Sequence, residues 1–306
     1  MALTVGRGAQ SLRALPGRTL SALSRRLGAK RRARHVLAEE QVLTTKFERW
    51  TLHYPSSSII GRAIAGGAGW EPTLATAVDL VLPPDEPLLI AEVGTNIGAS
   101  LAQMISVRPD ARYVCFEPAE RFRNILLRNV EENGWTNVLV EESLVGSQTE
   151  NVQLFTNTST ASVAKRHYGD HVFLDASSRP VVMLDDYFDR VERLDLIKSD
   201  TDGFDFDVLL GARTILAQLA PALYFEFAPF LARNVGREGS VILEYLGELG
   251  YSKFIVFAQT GDLLAFTSDP TDVIALADEH NYVDVLTAAQ PEHVAALPNV
   301  AAATAA

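Results

Sequence analysis

Short apolar runs alternate with amphipathic stretches through the middle of this 306-residue chain. The apolar runs are continuous and aliphatic or aromatic, at 88–93, 112–117, 137–141, 194–199 and 222–228. Such runs are typical of strands buried on both faces of a parallel sheet. The stretches between them have helical spacing, at 98–107, 119–133 and 205–219. This alternation predicts an α/β fold with a doubly wound, mostly parallel sheet, spanning residues 87–290.

The flanking regions carry weaker patterns. Runs at 251–258 and 263–268 predict a late hairpin that places an antiparallel strand at the sheet edge. Residues 39–50 predict a helix, so that 38–86 is expected to form an N-terminal helical segment packed on the core. The Ala-rich tail, 291–306, is expected to be frayed.

A long, largely polar segment, 143–193, interrupts the alternation after the third strand. Crossover connections of this length are uncommon unless they have a function. The carboxyl ends of strands are also where open α/β sheets bind ligands. The segment is therefore interpreted as a lid or substrate loop, with a plain surface excursion as the alternative.

Charge divides the chain into two parts. Nine of the 27 Lys and Arg residues lie within residues 1–36, which contain no acid. The remainder holds 18 basic residues against 38 acidic ones, a composition that disfavours nucleic-acid partners. The basic arm, residues 1–37, suits an anionic membrane surface, an organellar transit peptide or a disordered leader, and these alternatives stay open.

Cysteine content and hydropathy bear on the compartment. The single cysteine, Cys115, rules out an internal disulfide, and no window of eighteen apolar residues predicts a membrane-spanning helix. We therefore expect a cytoplasmic protein, with membrane association through the arm left open.

The stretch "LLIAEVGTNIGAS" joins the first buried strand to a turn with few side chains. Gly94 and Gly98 let the backbone approach a ligand at the start of a helix. The second glycine of a dinucleotide motif is missing, and no P-loop is present. Glu92 precedes the turn and favours a partly cationic ligand, such as S-adenosylmethionine. Asn96 lies in the same turn.

The second strand ends in another acid, Glu117, followed by Pro118. A carboxylate at this position can accept both ribose hydroxyls of an adenosine ligand. The alternative is that Glu117 supplies negative charge to the N-terminus of the next helix. Adenine contacts are expected near Glu142 and Ser143, at the end of the third strand, on position alone.

Several spaced motifs point to one family. "EVGTNIGAS", "FEPAERFRNILLRNVEENG", "VVMLDDYF" and "LDLIKSDTDGFDFDVLLGA" occur in this order, followed by "PALYFEF". Together they resemble the FkbM-type S-adenosylmethionine-dependent methyltransferases over residues 56–258. The resemblance implies a class I, Rossmann-like methyltransferase with a seven-stranded sheet, and methyl transfer to a hydroxyl of a sugar, a glycolipid or a secondary metabolite.

The resemblance also implies roles for individual residues. Glu92, Gly94 and Gly98 match the cofactor motif, and Glu117 matches the ribose-binding acid. The family's Leu-Asp-Asp matches 184–186, and its Lys-x-Asp-x-x-Gly block matches 198–203.

The acids after the fourth strand are the candidates for chemistry. Asp200 is the first choice for the active-site carboxylate, as a base or as a ligand for a divalent cation that lowers the pKa of the acceptor alcohol. Asp202 is a candidate substrate residue, although a helix-capping role is the alternative. Lys198 is expected to neutralise the acids. Glu226, flanked by aromatics on the fifth strand, is expected to pair with Lys198, to position the acceptor, or to join Asp200 and Asp202 in a metal site.

Three further residues are candidates on weaker grounds. His167, in the polar loop, becomes a general base if that loop closes over the site. Trp70 and Glu71 are expected to line the acceptor pocket, although packing is the alternative for the tryptophan.

Two other functions stay open. A nicotinamide-dependent oxidoreductase would show a third close glycine at the first turn, which is absent here. A non-catalytic S-adenosylmethionine-binding protein would not need the acids around Asp200. The expected partner is a small-molecule, glycan or lipid-linked acceptor.

Overall fold

The computed structural model describes residues 40–84, 86–163 and 175–305. Its strands are β1 (Val42–Phe47), β2 (Trp50–Pro55), β3 (Leu89–Val93), β4 (Arg112–Phe116), β5 (Val138–Glu141), β6 (Leu144–Val145), β7 (Asn151–Thr156), β8 (Ala161–Ser162), β9 (Asp175–Val182), β10 (Leu196–Ser199), β11 (Ala222–Phe227), β12 (Phe254–Phe257), β13 (Leu263–Thr267) and β14 (Val283–Thr287).

Its helices are α1 (Ile59–Ala65), α2 (Leu74–Val81), α3 (Ala99–Val107), α4 (Glu120–Glu132), α5 (Leu184–Tyr187), α6 (Asp205–Leu210), α7 (Arg213–Gln218), α8 (Pro229–Arg233), α9 (Gly239–Glu248), α10 (Pro270–His280) and α11 (Pro291–Thr304).

The main sheet confirms the predicted α/β class. Eight of the described strands form it in the order β13-β12-β14-β11-β10-β3-β4-β5. The run from β11 to β5 is parallel, whereas β14 is antiparallel to both β11 and β12. The predicted late hairpin is β12–β13, and β13 adds an antiparallel strand at the edge of the expected seven. Five buried runs of the sequence thus became five parallel strands.

Each face of this sheet has its own apolar core. On one face, Val93 and Phe116 pack with residues of α5, α6, α7, α9 and α10. On the other, Ile90 and Tyr113 pack with residues of α2, α3 and α11. Helices on both faces make every central strand continuously apolar, which is why the strands could be located from the sequence.

The order of the strands reverses at β3, which has β4 on one side and β10 on the other. The chain leaves the sheet in opposite directions on the two sides of this point, so a crevice opens above the carboxyl ends of β3 and β10. The fold therefore places the turn after Val93 and the segment after Ser199 next to each other.

Two elements contradict the sequence predictions. The predicted helix at 39–50 is wrong, because β1 and β2 form an antiparallel hairpin there. Two side-chain amides, Asn129 in α4 and Asn133 directly after it, bind the backbone of β2. Asn129 accepts from His53 N at 2.7 Å, and Asn133 accepts from Thr51 N at 2.9 Å. Hydrogen bonds from a distant helix stabilise the extended form, and local helical spacing does not report them.

The expectation of a frayed tail is also wrong, because α11 packs on α2. Leu297, Val300 and Ala301 lie on one side of α11 and are buried in the core shared with α2 and α3. Their spacing is helical, but alanines on either side of them make the apolar stripe hard to distinguish in the sequence.

The segment 143–193 contains secondary structure of its own. Strands β6, β9, β7 and β8 form a second sheet of four strands in that order. The chain between β7 and β8 and the residues of β8 itself reach the crevice of the main sheet. The interpretation as a lid stays a prediction, and His167 lies outside the described residues.

Candidate active site

A cavity of about 660 Å³ opens above the carboxyl ends of β3, β4, β10 and β11. The turn after β3, the residues following β10 and the chain between β7 and β8 contribute to its wall, together with the segment before α2. The size is sufficient for a nucleoside-sized ligand with space beside it for a second molecule. The sheet's reversal point and the cavity coincide, as expected for this architecture.

The turn after β3 depends on a glycine. Gly94 has φ +86°, and a Cβ built on it would lie 2.0 Å from the backbone oxygen of Asp200. The Gly94 N–H also donates to Phe116 O at 3.0 Å, which ties the turn to β4. The absence of a side chain thus allows three strand ends to converge at one side of the cavity.

Four residues other than glycine that line the cavity have positive φ values, namely Glu71, Asn96, Asp202 and Asn281. This backbone region is sparsely populated by residues with a Cβ and is found where surrounding structure holds it in place. Only two other described residues of this kind lie elsewhere, Glu48 and Ala220. Backbone strain is therefore concentrated at this cavity, as is common at functional sites.

Glu117 lies on the cavity wall at the tip of β4. Its carboxylate accepts from Asn96 N and from Ala119 N, both at 2.8 Å. Burial raises the pKa of Glu117 to about 7, although both backbone hydrogen bonds lower it. Asn96 and Pro118 line the cavity beside it, so three of the predicted cofactor residues meet at one place.

Glu92 is fully buried and is not part of the cavity wall. Ser100 Oγ donates to its carboxylate, and Cys115 Sγ donates to it at 3.8 Å. Burial raises the pKa of Glu92, while nearby Lys198 lowers it. Ser100 does line the cavity, so the Ser100 hydroxyl connects Glu92 to the cavity wall by a hydrogen bond. Direct contact between Glu92 and the cofactor stays a prediction.

Gly98 and Glu142 also lie off the cavity wall, whereas Ser143 is part of it. Gly98 precedes α3 and faces Leu126 of α4. The Glu142 side chain is 73% exposed and pairs with Arg123 at 3.2 Å. Of the two residues predicted to lie near the adenine, Ser143 therefore lines the cavity and Glu142 does not.

Lys198 is buried under the cavity floor and holds two of its acids. Its Nζ lies 3.0 Å from Glu71 and 3.4 Å from Asp200, and both carboxylates belong to the wall. Desolvation alone lowers the pKa of Lys198, but Glu71, Asp200 and Glu92 outweigh it, and the pKa is raised. The lysine is thus a permanent cation that fixes the position of Asp200 from behind.

Trp70 precedes Glu71 on the same wall, and its carbonyl accepts from the Gln103 side-chain amide of α3. Both predicted substrate residues of this segment are therefore cavity residues. The tertiary contacts of Glu71 were not anticipated, since the sequence does not indicate a salt bridge between residues 127 positions apart.

Glu226 reaches the cavity from β11 and has one polar atom without a partner. The residue is 6% exposed, and its Oε2 is buried with no hydrogen bond. Burial and then the charge of Asp200 raise the pKa of Glu226 well above its ordinary value. The predicted ion pair with Lys198 is absent from the described contacts of Glu226.

Asp284 is a cavity residue that the sequence analysis missed. It lies on β14 directly opposite Glu226 in the antiparallel register. Its strand, "VDVLT", shows the same signal as Glu226, an acid among apolar strand residues. Burial raises the pKa of Asp284 well above its ordinary value.

The chain between β7 and β8 is held by three hydrogen bonds, of which the first two involve residues of the cavity wall. Asn96 Nδ2 donates to Ser159 O at 3.3 Å, and the Thr160 hydroxyl donates to Asp202. Ser57 Oγ donates to Thr158 O at 3.0 Å. Asp202 therefore connects the segment after β10 to this chain, and its position on the wall agrees with the predicted substrate role without testing it.

Two further acids of the sequence motifs have structural roles. Asp205 is fully buried and accepts from Ser199 Oγ at 2.6 Å and Thr201 N at 3.1 Å, which shapes the turn before α6. Asp185 accepts from Thr214 N and Ile215 N and thereby caps α7. Neither lines the cavity. Among the described residues, no group of three or more His, Cys, Asp or Glu has an arrangement that could hold a metal ion.

A comparison with known families decides which family the chain belongs to. The sequence profile of the Methyltransferase FkbM domain matches residues 92–253, more than half of the chain. The chain belongs to the FkbM methyltransferase family. The match begins at Glu92 and extends past β11, so it includes the turn at Gly94, the tip of β4 and the acids after β10.

Three proteins similar to this chain have low sequence identity to it. A solved FkbM methyltransferase from Methylobacillus flagellatus is 18% identical with a TM-score of 0.39, covering 75% of this chain and 59% of that one. Precorrin-6y C5,15-methyltransferase from Geobacter metallireducens is 12% identical with a TM-score of 0.39, covering 70% and 86%. Isoleucine–tRNA ligase from Campylobacter lari is 27% identical over 160 residues, 50% of this chain and only 17% of the ligase. At these similarities no activity is carried over.

FkbM membership implies S-adenosylmethionine as the methyl donor, and the residues present fit it. Backbone at Gly94 and the carboxylate of Glu117 adjoin one cavity, where ribose hydroxyls can be accepted. Glu226 Oε2 is an unpartnered buried acceptor, and a partly cationic ligand suits such an atom.

We expect Glu117→Ala to weaken the binding of S-adenosylmethionine and S-adenosylhomocysteine alike, by about 10- to 100-fold, because each loses charge-assisted hydrogen bonds. Isothermal titration measures both affinities. Glu120→Ala, at an exposed acid of α4, serves as the control and should change neither. Unchanged binding by the Glu117 variant would contradict the assignment of this residue.

Proposed function

We propose that this FkbM methyltransferase transfers a methyl group from S-adenosylmethionine to a hydroxyl oxygen of a sugar, a glycolipid or a secondary metabolite. One observation carries the proposal: Asp200, Glu226 and Asp284 share a cavity with Glu117. Carboxylates for taking a proton thus adjoin a carboxylate suited to hold adenosine.

The proposed mechanism gives each residue one task. When bound, S-adenosylmethionine supplies a methyl group that its sulfonium has already activated. Glu117 and the backbone at Gly94 hold the adenosine part, which fixes the distance and angle to the acceptor. Asp200 takes the proton from the acceptor hydroxyl as the oxygen is methylated. Lys198, 3.4 Å from Asp200, keeps this carboxylate in place.

The character of the wall supports a hydroxyl-bearing acceptor with an apolar part. Ser159 and Thr160 contribute hydroxyls and backbone groups to the wall. Ile59, Ile60 and Phe204 contribute apolar surface to it. A sugar carried on a lipid or on an apolar aglycone combines both properties.

The other two hypotheses have less support. The family match and the turn from Gly94 to Gly98 argue against a nicotinamide-dependent oxidoreductase. A non-catalytic binding protein would have no use for carboxylates held as Asp200 is. Metal assistance stays a hypothesis, with Asp200, Asp202 and Glu226 as its residues.

The location and the partners of the protein are proposed from its amino-acid composition. The acidic body argues for a small-molecule or glycan acceptor and against nucleic acid. Among the described residues, no helix is both long and apolar enough to cross a bilayer. A cytoplasmic site with peripheral membrane contact through residues 1–37 is our proposal, and the arm lies outside the described residues.

Two measurements test the proposal. Titration calorimetry should show binding of S-adenosylmethionine and S-adenosylhomocysteine and none of NAD; the reverse would end the methyltransferase hypothesis. Incubating lysate fractions with radiolabelled methyl donor should then label a compound whose methyl group resides on oxygen. Labelling on nitrogen or carbon alone would contradict the O-methyl assignment.

A further inference from the structure

The described wall of the cavity is acidic and contains no Lys, Arg or His. Six carboxylates contribute to it, namely those of Glu71, Glu117, Asp200, Asp202, Glu226 and Asp284. Carboxylates crowded into one enclosed space repel each other, and each one disfavours the ionised form of the next. A cavity with this many carboxylates favours a positively charged ligand over a neutral or negatively charged one.

Most of these acids already have partners. Lys198 pairs with Glu71 and Asp200, two backbone N–H groups donate to Glu117, and the Thr160 hydroxyl donates to Asp202. Glu71 and Glu226 each keep one buried carboxylate oxygen, Oε2, without a hydrogen bond. Glu71 is nevertheless paired with Lys198, whereas Glu226 has no cation among its described salt-bridge partners and is only 6% exposed. An unpartnered buried carboxylate oxygen at a cavity wall is completed by a ligand.

Asp284 adds a second acid next to Glu226, so that both favour a positively charged group at this place. The two are direct partners in the β11–β14 register, so their Cβ atoms lie on the same face, about 4.5–5.5 Å apart. The charged groups with the largest effect on Glu226 are all acids: Asp200, Asp202, Asp205 and Asp284. Burial raises the pKa of both acids, and a cation in the cavity counteracts this by favouring their ionised forms, which a neutral molecule does not do.

We propose that Glu226 and Asp284 distinguish the methyl donor from its demethylated product by charge, so that S-adenosylmethionine binds more tightly than S-adenosylhomocysteine. The inference rests on the proposed function. The two ligands share the adenosine and amino-acid parts and differ in the sulfur, which is a sulfonium in the donor and a neutral thioether in the product. A difference in affinity between the two ligands therefore measures the effect of the charge of the cavity wall.

The chemistry gives this preference a consequence for product release. During transfer the sulfur–methyl bond breaks, the carbon–oxygen bond of the methyl ether forms, and the acceptor proton passes to a carboxylate of the wall. The ligand thus loses its positive charge at the moment when the reaction is complete. Product binding weakens after each turnover, and fresh donor displaces it.

Titration calorimetry at pH 8 on the full chain tests the inference with three probes: S-adenosylmethionine, S-adenosylhomocysteine and sinefungin. Sinefungin carries an ammonium group in place of the methylated sulfonium and should follow the donor. We expect the wild type to bind both cationic probes at least about tenfold more tightly than S-adenosylhomocysteine, a difference equivalent to about 1.4 kcal/mol.

The variants are Glu226→Gln, Asp284→Asn and the double substitution, with Glu244→Gln on the exposed face of α9 as the matched control. Each single change should reduce the preference, and the double variant should bring it to about twofold or less, by weakening the cationic probes alone. S-adenosylhomocysteine affinity should stay within about twofold, which also shows that the variants are folded. The control should behave as the wild type.

Four outcomes would overturn the inference. Equal affinity of the wild type for the three probes would leave the proposed function standing and remove this preference. A preference unchanged in the double variant would assign it to other residues. Loss of S-adenosylhomocysteine binding in the single and double variants would place these acids at the shared part of the ligands. Failure of the wild type to bind any probe would instead overturn the proposed function as well.

Discussion

Asp200→Asn abolishes methyl transfer while the protein still binds S-adenosylhomocysteine. The amide keeps the shape of the side chain and can still accept a hydrogen bond, but it cannot take the proton of the acceptor hydroxyl. General-base catalysis contributes about 10²- to 10⁴-fold to rate, and we expect a loss in this range. The measurement is the rate of labelling of the acceptor found in lysate, with affinity for S-adenosylhomocysteine measured in parallel.

Glu226→Gln provides the comparison for this result. Both carboxylates line the cavity, but only Asp200 is held by Lys198. If Asp200→Asn keeps more than a third of the wild-type rate and Glu226→Gln loses it, the base is Glu226. If both variants lose S-adenosylhomocysteine binding, neither result bears on catalysis, and thermal melting then separates misfolding from a local effect on the cofactor.

Gly94→Ala eliminates cofactor binding and destabilises the fold. The added Cβ would lie 2.0 Å from the backbone oxygen of Asp200, and the residue would have to keep φ at +86°. A positive φ alone costs a residue with a Cβ about 1–2 kcal/mol. The overlap must move β10 away from β3, which raises the expected loss in the free energy of unfolding to about 3–4 kcal/mol. Denaturant melts and calorimetric titration measure the two effects.

Gly236→Ala separates the two causes. Gly236 has φ +80°, and a Cβ there would have nothing within 4 Å. This variant therefore carries the conformational penalty without the overlap, and we expect a loss of about 1 kcal/mol with unchanged cofactor affinity. Equal losses for both variants would mean that the contact between Gly94 and Asp200 does not hold the site together.

The parallel strands were predictable because burial on both faces leaves a direct mark on the sequence. Each run from 88–93 to 222–228 became a strand with ends within two residues of the prediction. The helix predicted at 205–219 was correct in type but is divided into α6 and α7, with Gly211 between them. A Cβ on Gly211 would overlap the backbone oxygen of Gly146, a contact that local pattern does not contain.

The hairpin β1–β2 and the strand β14 show the limit of this approach. The segment 39–50 has helical spacing, yet Asn129 of α4 and Asn133 directly after this helix bind the backbone of β2 and favour the extended form. Strand β14 is only five residues long, and its place between β11 and β12 follows from pairing with strands far away in the chain. The local order of apolar and polar residues does not reveal hydrogen bonds to segments that are distant in the sequence.

The sequence by itself determined the α/β class, the positions of the parallel strands along the chain and the acids at their ends. These follow from the period of apolar residues and from local turn chemistry, which neighbouring residues specify. Only the tertiary structure decided which acids share the cavity. It placed Glu92 behind Ser100, joined Glu71 to Lys198, and brought Asp284 opposite Glu226. Burial and pairing between distant segments set those outcomes, because desolvation and charge depend on what surrounds a side chain in space.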